Sequence, residues 1–134
     1  MQHRKGFALI EALVVVVVIG ILAAVVTPAF RGTNKAVLAS MRSDLRNLVT
    51  AQEEFFRHRQ RYAGAIGATQ TATRVTFVPS SDNAITLSSV TSTGWAAEAT
   101  NPTLEGTITR CGIFVGSSPP PNGAVRAEGA PACY

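Results

Sequence analysis

Histidine is scarce in this chain, and its scarcity removes whole classes of chemistry. Of the two histidines, His3 stands at the N-terminus and His58 lies among Arg57, Arg59 and Arg61. A Ser-His-Asp or Cys-His arrangement therefore has no plausible base. Acidic residues number only eight, and Asp82, Glu98, Glu105 and Glu128 are scattered without calcium-loop spacing. With no histidine or cysteine cluster beside them, no metal site is expected. No catalytic residue and no cofactor are expected either, and the chain is read as a non-enzyme.

Charge is missing altogether from one long stretch. Between Glu11 and Arg31 no ionisable side chain interrupts ALVVVVVIGILAAVVTPAF. From Phe7 to Phe30 the run is long enough, at about 1.5 Å per residue, to cross a hydrocarbon core of roughly 30 Å as a helix. A cleaved secretion signal has an apolar core of only about 7–15 residues before a small-residue cleavage site. This run is longer, and Thr27-Pro28-Ala29 matches such a site poorly. His3, Arg4 and Lys5 precede the run, which puts the N-terminus in the cytoplasm and the remainder outside. A monomeric single-pass anchor explains length and orientation but not Glu11. A carboxylate inside a bilayer costs several kcal/mol unless it reaches the interface or a partner. Arg4 and Lys5, about two turns back, offer only a weak snorkelling pair.

Basic residues, then Gly6 and Phe7, then Glu11, then an apolar helix carrying Gly20 and Pro28 follow one another from Lys5 to Phe30. This order resembles the N-terminus of the type IV pilin family. The resemblance implies a leader of residues 1–6, cut after Gly6 by a prepilin peptidase that also methylates the new N-terminal Phe7. Ala8 and Ala12 depart from the usual residue types there without touching the processing logic. It further implies a subunit stored in the lipid bilayer of the bacterial inner membrane, then polymerised at an inner-membrane assembly platform with identical or related subunits. The product would be a cell-surface pilus or a periplasmic filament.

Cleavage gives Glu11 a role. The freed amine at Phe7 stays cationic, and Glu11 of one subunit can accept the amine of its neighbour when the apolar helices bundle. Pairing two groups that are costly alone in low dielectric sets the axial register of one helix against the next. Gly20 lowers helix stability by about 1 kcal/mol relative to Ala, and Pro28 removes a backbone donor. The interval between them is therefore expected to be weak, held mostly helical by lipid. In family filaments this region unwinds; a simple proline kink is the alternative.

Beyond Arg31 the pattern becomes amphipathic. Leu38, Met41, Leu45, Leu48, Gln52, Phe55, Arg59 and Tyr62 fall at spacings of three and four, which predicts a helix over 33–62 with one buried stripe. The pattern is too short for a coiled coil, so a sheet is expected to cover the stripe. Strands are predicted at Arg74–Val78, Ala84–Val90, Gly94–Ala99 and Thr107–Val115, separated by turn-rich stretches as in an antiparallel meander. Val75, Phe77, Ile85, Leu87, Trp95, Ala97, Ile108 and Ile113 should face inward. The fold class is thus α+β: a long N-terminal helix under a small antiparallel sheet spanning 74–115, with a head of residues 31–134 following the membrane half at 7–30.

Cys111 and Cys133 are the only cysteines. In a chain exported past the membrane an even pair reads as one disulfide, with two free buried thiols as the alternative. The bridge would close a proline-rich loop over 111–133 and restrict the unfolded chain by roughly 3 kcal/mol. In the family such a loop is an exposed surface region.

The basic residues Arg31, Lys35, Arg42, Arg46, Arg57, Arg59 and Arg61 form an excess on the second half of the helix. A solvated helix face is the preferred reading; a nucleic-acid partner, as for a minor subunit in DNA uptake, would need binding that weakens steeply with salt. The pseudopilins of type II secretion share the same N-terminus, but their major subunit typically binds calcium through acidic head residues. The disulfide loop favours a pilin.

Overall fold

The computed structural model describes residues 4–134, and the side chains of residues 9–24 and 34–134. Helix α1 (Arg4–Arg59) is followed by strands β1 (Ala65–Gly67), β2 (Arg74–Thr76), β3 (Ala84–Val90), β4 (Gly94–Thr100), β5 (Arg110–Gly116) and β6 (Ala132–Cys133). This is the expected α+β class. Two compact units divide the chain, Met1–Lys35 and Ala36–Tyr134.

In the second unit the three-four spacing becomes a buried stripe. Met41, Leu45, Leu48, Gln52 and Phe55 are all at most 2% exposed, whereas Arg42, Arg46, Glu54 and Arg57 on the remaining faces are exposed. Each large apolar side chain so buried contributes about 1.5–3 kcal/mol. The stripe packs with Val75, Ile85, Trp95, Ala97, Ala99, Cys111 and Ile113 into one cluster.

The helix ends at Arg59, earlier than the expected Tyr62. Gln60 takes a left-handed φ of 54°, and its amide donates to the Phe56 carbonyl at 2.7 Å, as at a helix C-terminus closed by an αL residue. Arg57 and Arg59 occupy the last turn, where their charges oppose the negative end of the helix dipole. Tyr62 keeps its place near the stripe because the chain folds back. Its ring lies 4.7 Å from that of Phe56, and its hydroxyl donates to Glu53 Oε1 at 2.9 Å. Gln52, the stripe's polar member, fixes the fold-back: Nε2 donates to the Ala63 carbonyl at 3.0 Å while Oε1 accepts from the Ala63 amide at 2.8 Å.

The sheet differs from a four-strand meander at both ends. Antiparallel pairing runs β3-β4-β5-β6, so Ala132–Cys133 supplies the last strand. The expected first strand instead pairs in parallel with Ala65–Gly67, a segment for which no strand was expected. The turn between the two holds them together, for Gly64 and Ala65 amides both donate to the Thr73 carbonyl. Ile108 is not inward-facing but 45% exposed, and it precedes β5. The neighbouring Thr109 and Arg110 amides are directed to the Tyr134 carbonyl, which anchors the last residues alongside β5.

β4 is buried on both faces. Trp95, Ala97 and Ala99 pair with Val115, Ile113 and Cys111 on the face toward the core. Ala96 and Glu98 pair with Phe114 and Gly112 on the other face. The Cys111–Cys133 disulfide closes the chain between them, and that segment covers this second face. A Cβ at Gly112 would lie 2.7 Å from Pro121 Cγ and 3.2 Å from Val125 Cγ2, so only glycine leaves room there. Val125 is 1% exposed. The loop is therefore partly a lid on the sheet and only partly the free surface expected of it.

Candidate functional site

Residues 9–24 form a stretch of helix whose side chains are all exposed. Leu9, Ile10 and Val16 are 70%, 67% and 69% exposed, and Val14, Val15, Val17 and Val18, which point in other directions, about half so. At 3.6 residues per turn no face of this segment is polar. A helix apolar all round has to be buried by something other than its own chain.

Glu11 is the one ionisable group on residues 9–24, and it too is exposed. Gly20 has open space around it, with nothing within 4 Å of a Cβ placed there. The helix continues through positions 20 and 28. The side chains of Phe7 and Pro28, and the surroundings of Gly6, lie outside the described residues, as do Met1 to His3 entirely. Among the described residues no helix is long and apolar enough to cross a membrane. The expected span 7–30 includes side chains at 7, 8 and 25–30 that are outside them.

The head carries a polar network that the sequence reading passed over. Asp44, 4% exposed, accepts from the Ser80 amide at 2.9 Å, the Ser80 hydroxyl at 2.8 Å and Asn83 Nδ2 at 2.7 Å. Asn83 Oδ1 in turn accepts from Asn101 Nδ2 at 2.7 Å, and Asn101 Oδ1 accepts from the amide and hydroxyl of Thr103. A buried carboxylate is tolerated because donors fill its lone pairs. The usable sign in sequence was the position of Asp44 beside Leu45, on the flank of the stripe.

A second cluster joins Glu98, Arg110 and Tyr134 on the covered face of the sheet. The Tyr134 hydroxyl donates to Glu98 Oε1, and Arg110 Nη1 lies 3.5 Å from Glu98 Oε2. Burial first, and the Glu98 carboxylate second, push the Tyr134 hydroxyl above its ordinary range. Among the described residues no group of three His, Cys, Asp or Glu side chains is placed to hold a metal ion. A groove of about 200 Å³ opens between the end of α1 and β2, with Phe55 and Val75 in its lining beside Glu54, His58, Gln70 and Thr76.

Residues 1–27 match the model described as a prokaryotic N-terminal methylation motif. The chain is similar to the type IV major pilin protein PilA of Myxococcus xanthus (strain DK1622), 39% identical over 62 residues. That alignment takes in 46% of this chain and 28% of the relative, so the chain matches little more than a quarter of the relative's length. No solved structure matches.

Proposed function

We propose that the chain is a structural subunit of a type IV pilus-like filament, assembled through its N-terminal helix. The observation that carries this reading is the segment 9–24, apolar on every side and exposed, with one carboxylate at Glu11. Lipid satisfies such a surface in the stored subunit, and the helices of other subunits satisfy it in a bundle. The methylation motif over residues 1–27 and the similarity to a major pilin support the same reading.

In this reading a prepilin peptidase hydrolyses the bond after Gly6, releasing residues 1–6 and freeing the amine of Phe7, which is then methylated. Before cleavage no amine exists at that position, so the precursor lacks the cation that Glu11 requires and does not assemble. After cleavage the amine of one subunit pairs with Glu11 of another. Removing either partner from low dielectric leaves the other uncompensated, which makes the pair a register device. The precursor sits in the bacterial inner membrane with its N-terminus cytoplasmic, and an assembly platform there delivers it to the filament.

Intact mass and N-terminal peptide analysis test this on protein recovered from native membranes and from material sheared off cells. A chain beginning at methylated Phe7 in the sheared fraction is the expected result. The same processed chain confined to the cell envelope would point to a periplasmic filament of a secretion system. A chain retaining residues 1–6, or one cut near Ala29, would overturn the filament reading.

A further inference from the structure

The exposed faces of the head helix carry opposite charges that have no partner among the described residues. Arg42 and Arg46 are exposed, and neither makes an ion pair or hydrogen bond among the described residues. Glu54 is exposed and equally unpaired, and it stands beside the groove between α1 and β2. At about 100° per residue Arg46 and Glu54 lie roughly 80° apart around the helix, on opposite sides of the line facing away from the core stripe. About 12 Å of helix axis separates them.

The groove has the chemistry to receive a long cationic side chain. Phe55 and Val75, at most 3% exposed, provide an apolar floor. Glu54, Gln70 and Thr76 provide oxygen acceptors above it, and the volume is about 200 Å³. An arginine fits this arrangement because its methylene stem covers apolar surface while its guanidinium forks toward a carboxylate.

We propose that the groove receives Arg46 of a second copy of this chain, with Glu54 accepting its guanidinium. The proposal rests on the filament reading and gives it a head-to-head contact. Because donor and acceptor sit on different faces, the contact is heterologous: each copy offers Arg46 to the next and Glu54 to the previous one. Such a contact does not close on itself in a dimer and propagates as a helical array. It also fixes the offset between neighbours, since Arg46 of one copy must come level with Glu54 of the other. That offset is about 12 Å along the helix axis. Arg42, one turn before Arg46, would require about 18 Å and is the alternative that the experiment separates.

The test uses the full chain expressed in its own cells, with filaments sheared from the surface. In a variant carrying both Arg46→Cys and Glu54→Cys, a short thiol cross-linker should produce a ladder of dimers, trimers and higher species. The two single-cysteine variants should give no ladder. A ladder from Arg42→Cys with Glu54→Cys, and none from the first pair, would overturn the stated register. Charge reversal supplies an independent check. Arg46→Glu should lower sheared filament by about tenfold while leaving the membrane-held subunit unchanged, and Arg46→Glu with Glu54→Arg should restore most of it. Normal filaments with neither cross-linking nor rescue would overturn this contact and leave the filament reading standing. Failure of the unaltered chain to form any filament would overturn both.

Discussion

Residues 9–24 and the head built from Ala36–Tyr134 use the same aliphatic side chains to opposite ends. In the first, Leu9, Ile10, Leu13 and the valines from Val14 to Val18 are exposed on every side of the helix. In the second, Met41, Leu45 and Leu48 are fully buried against Trp95, Ala97 and Ile113. The difference lies in what separates the apolar residues. Where Arg42, Ser43, Arg46 and Asn47 interrupt the pattern, a helix acquires one apolar face and a sheet of its own chain can cover it. Where nothing polar intervenes, no face is preferred, and only lipid or other helices can take the surface. One helix therefore holds a part that folds against its own chain and a part that requires a different solvent.

The comparison is tested hardest at the one charge in the unpartnered part. Glu11→Val makes that segment wholly apolar, so the subunit should remain at normal level in the membrane. Its incorporation into sheared filaments should fall about a hundredfold or more, the consequence of leaving a cation uncompensated at 3–5 kcal/mol. Equal filament yields by quantitative immunoblot would remove Glu11 from the account of register. The reciprocal change in the head is Leu45→Ala, which should cost about 2–5 kcal/mol of head stability. Urea denaturation of the detergent-solubilised protein, followed by Trp95 fluorescence, measures that cost. A midpoint unchanged from the parent would mean that the stripe is not the core.

Much of this contrast was legible beforehand, because periodicity is a local property. The stripe from Leu38 to Phe55, strands β3 and β4, and the bridging cysteines all appeared where alternation or pairing predicts them. What was missed depended on partners distant in sequence. Ala65–Gly67 contains two small residues and looks like loop until Arg74–Thr76 lies beside it. Ala132–Cys133 is too short to register as a strand; the Cys111–Cys133 disulfide and the backbone hydrogen bonds of Tyr134 hold it against β5. Ile108 alternates correctly but falls before β5, where the backbone is committed to Tyr134. The helix end was misplaced because a left-handed Gln60 carries no glycine signature. The N-terminal methylation motif was legible as an order of residue types, since such a motif is local in sequence. Asp44 was the reverse case, for its role exists only once Ser80 and Asn83 arrive from the far side of the core.

Asp44 then gives the intermediate test. It joins α1 to the loop before β3, so Asp44→Ala leaves the Ser80 amide without its acceptor and Asn83 Nδ2 with only Ser40 Oγ. A loss of about 1–3 kcal/mol in head stability is expected. Incorporation into filaments should change only as far as the folded fraction does, in contrast to Glu11→Val. A loss of filament with unchanged urea midpoint would show that Asp44 serves assembly rather than folding.

The smallest effect concerns Tyr62, whose hydroxyl fastens the chain back onto α1 after the helix ends. Burial first, then the hydrogen bond and charge of Glu53, push its pKa to about 12 from an ordinary value near 10. The folded state thus holds this proton more tightly than the unfolded state does. The stabilisation is fully present below about pH 10 and disappears as the pH rises through about 12. Tyr134 is raised in the same direction and adds to the same loss. The urea midpoint of the parent should therefore fall between about pH 10 and pH 12, and Tyr62→Phe should fall less steeply over that window. At neutral pH the substitution removes only one partly exposed hydrogen bond, so the change there should stay within about 1 kcal/mol. A Tyr62→Phe variant with the full alkaline slope would assign that slope to Tyr134 and the disulfide-closed face of the sheet. The fold-back at Ala63 would then rest on the ring contact with Phe56 and on Gln52, which binds both of the Ala63 backbone polar groups.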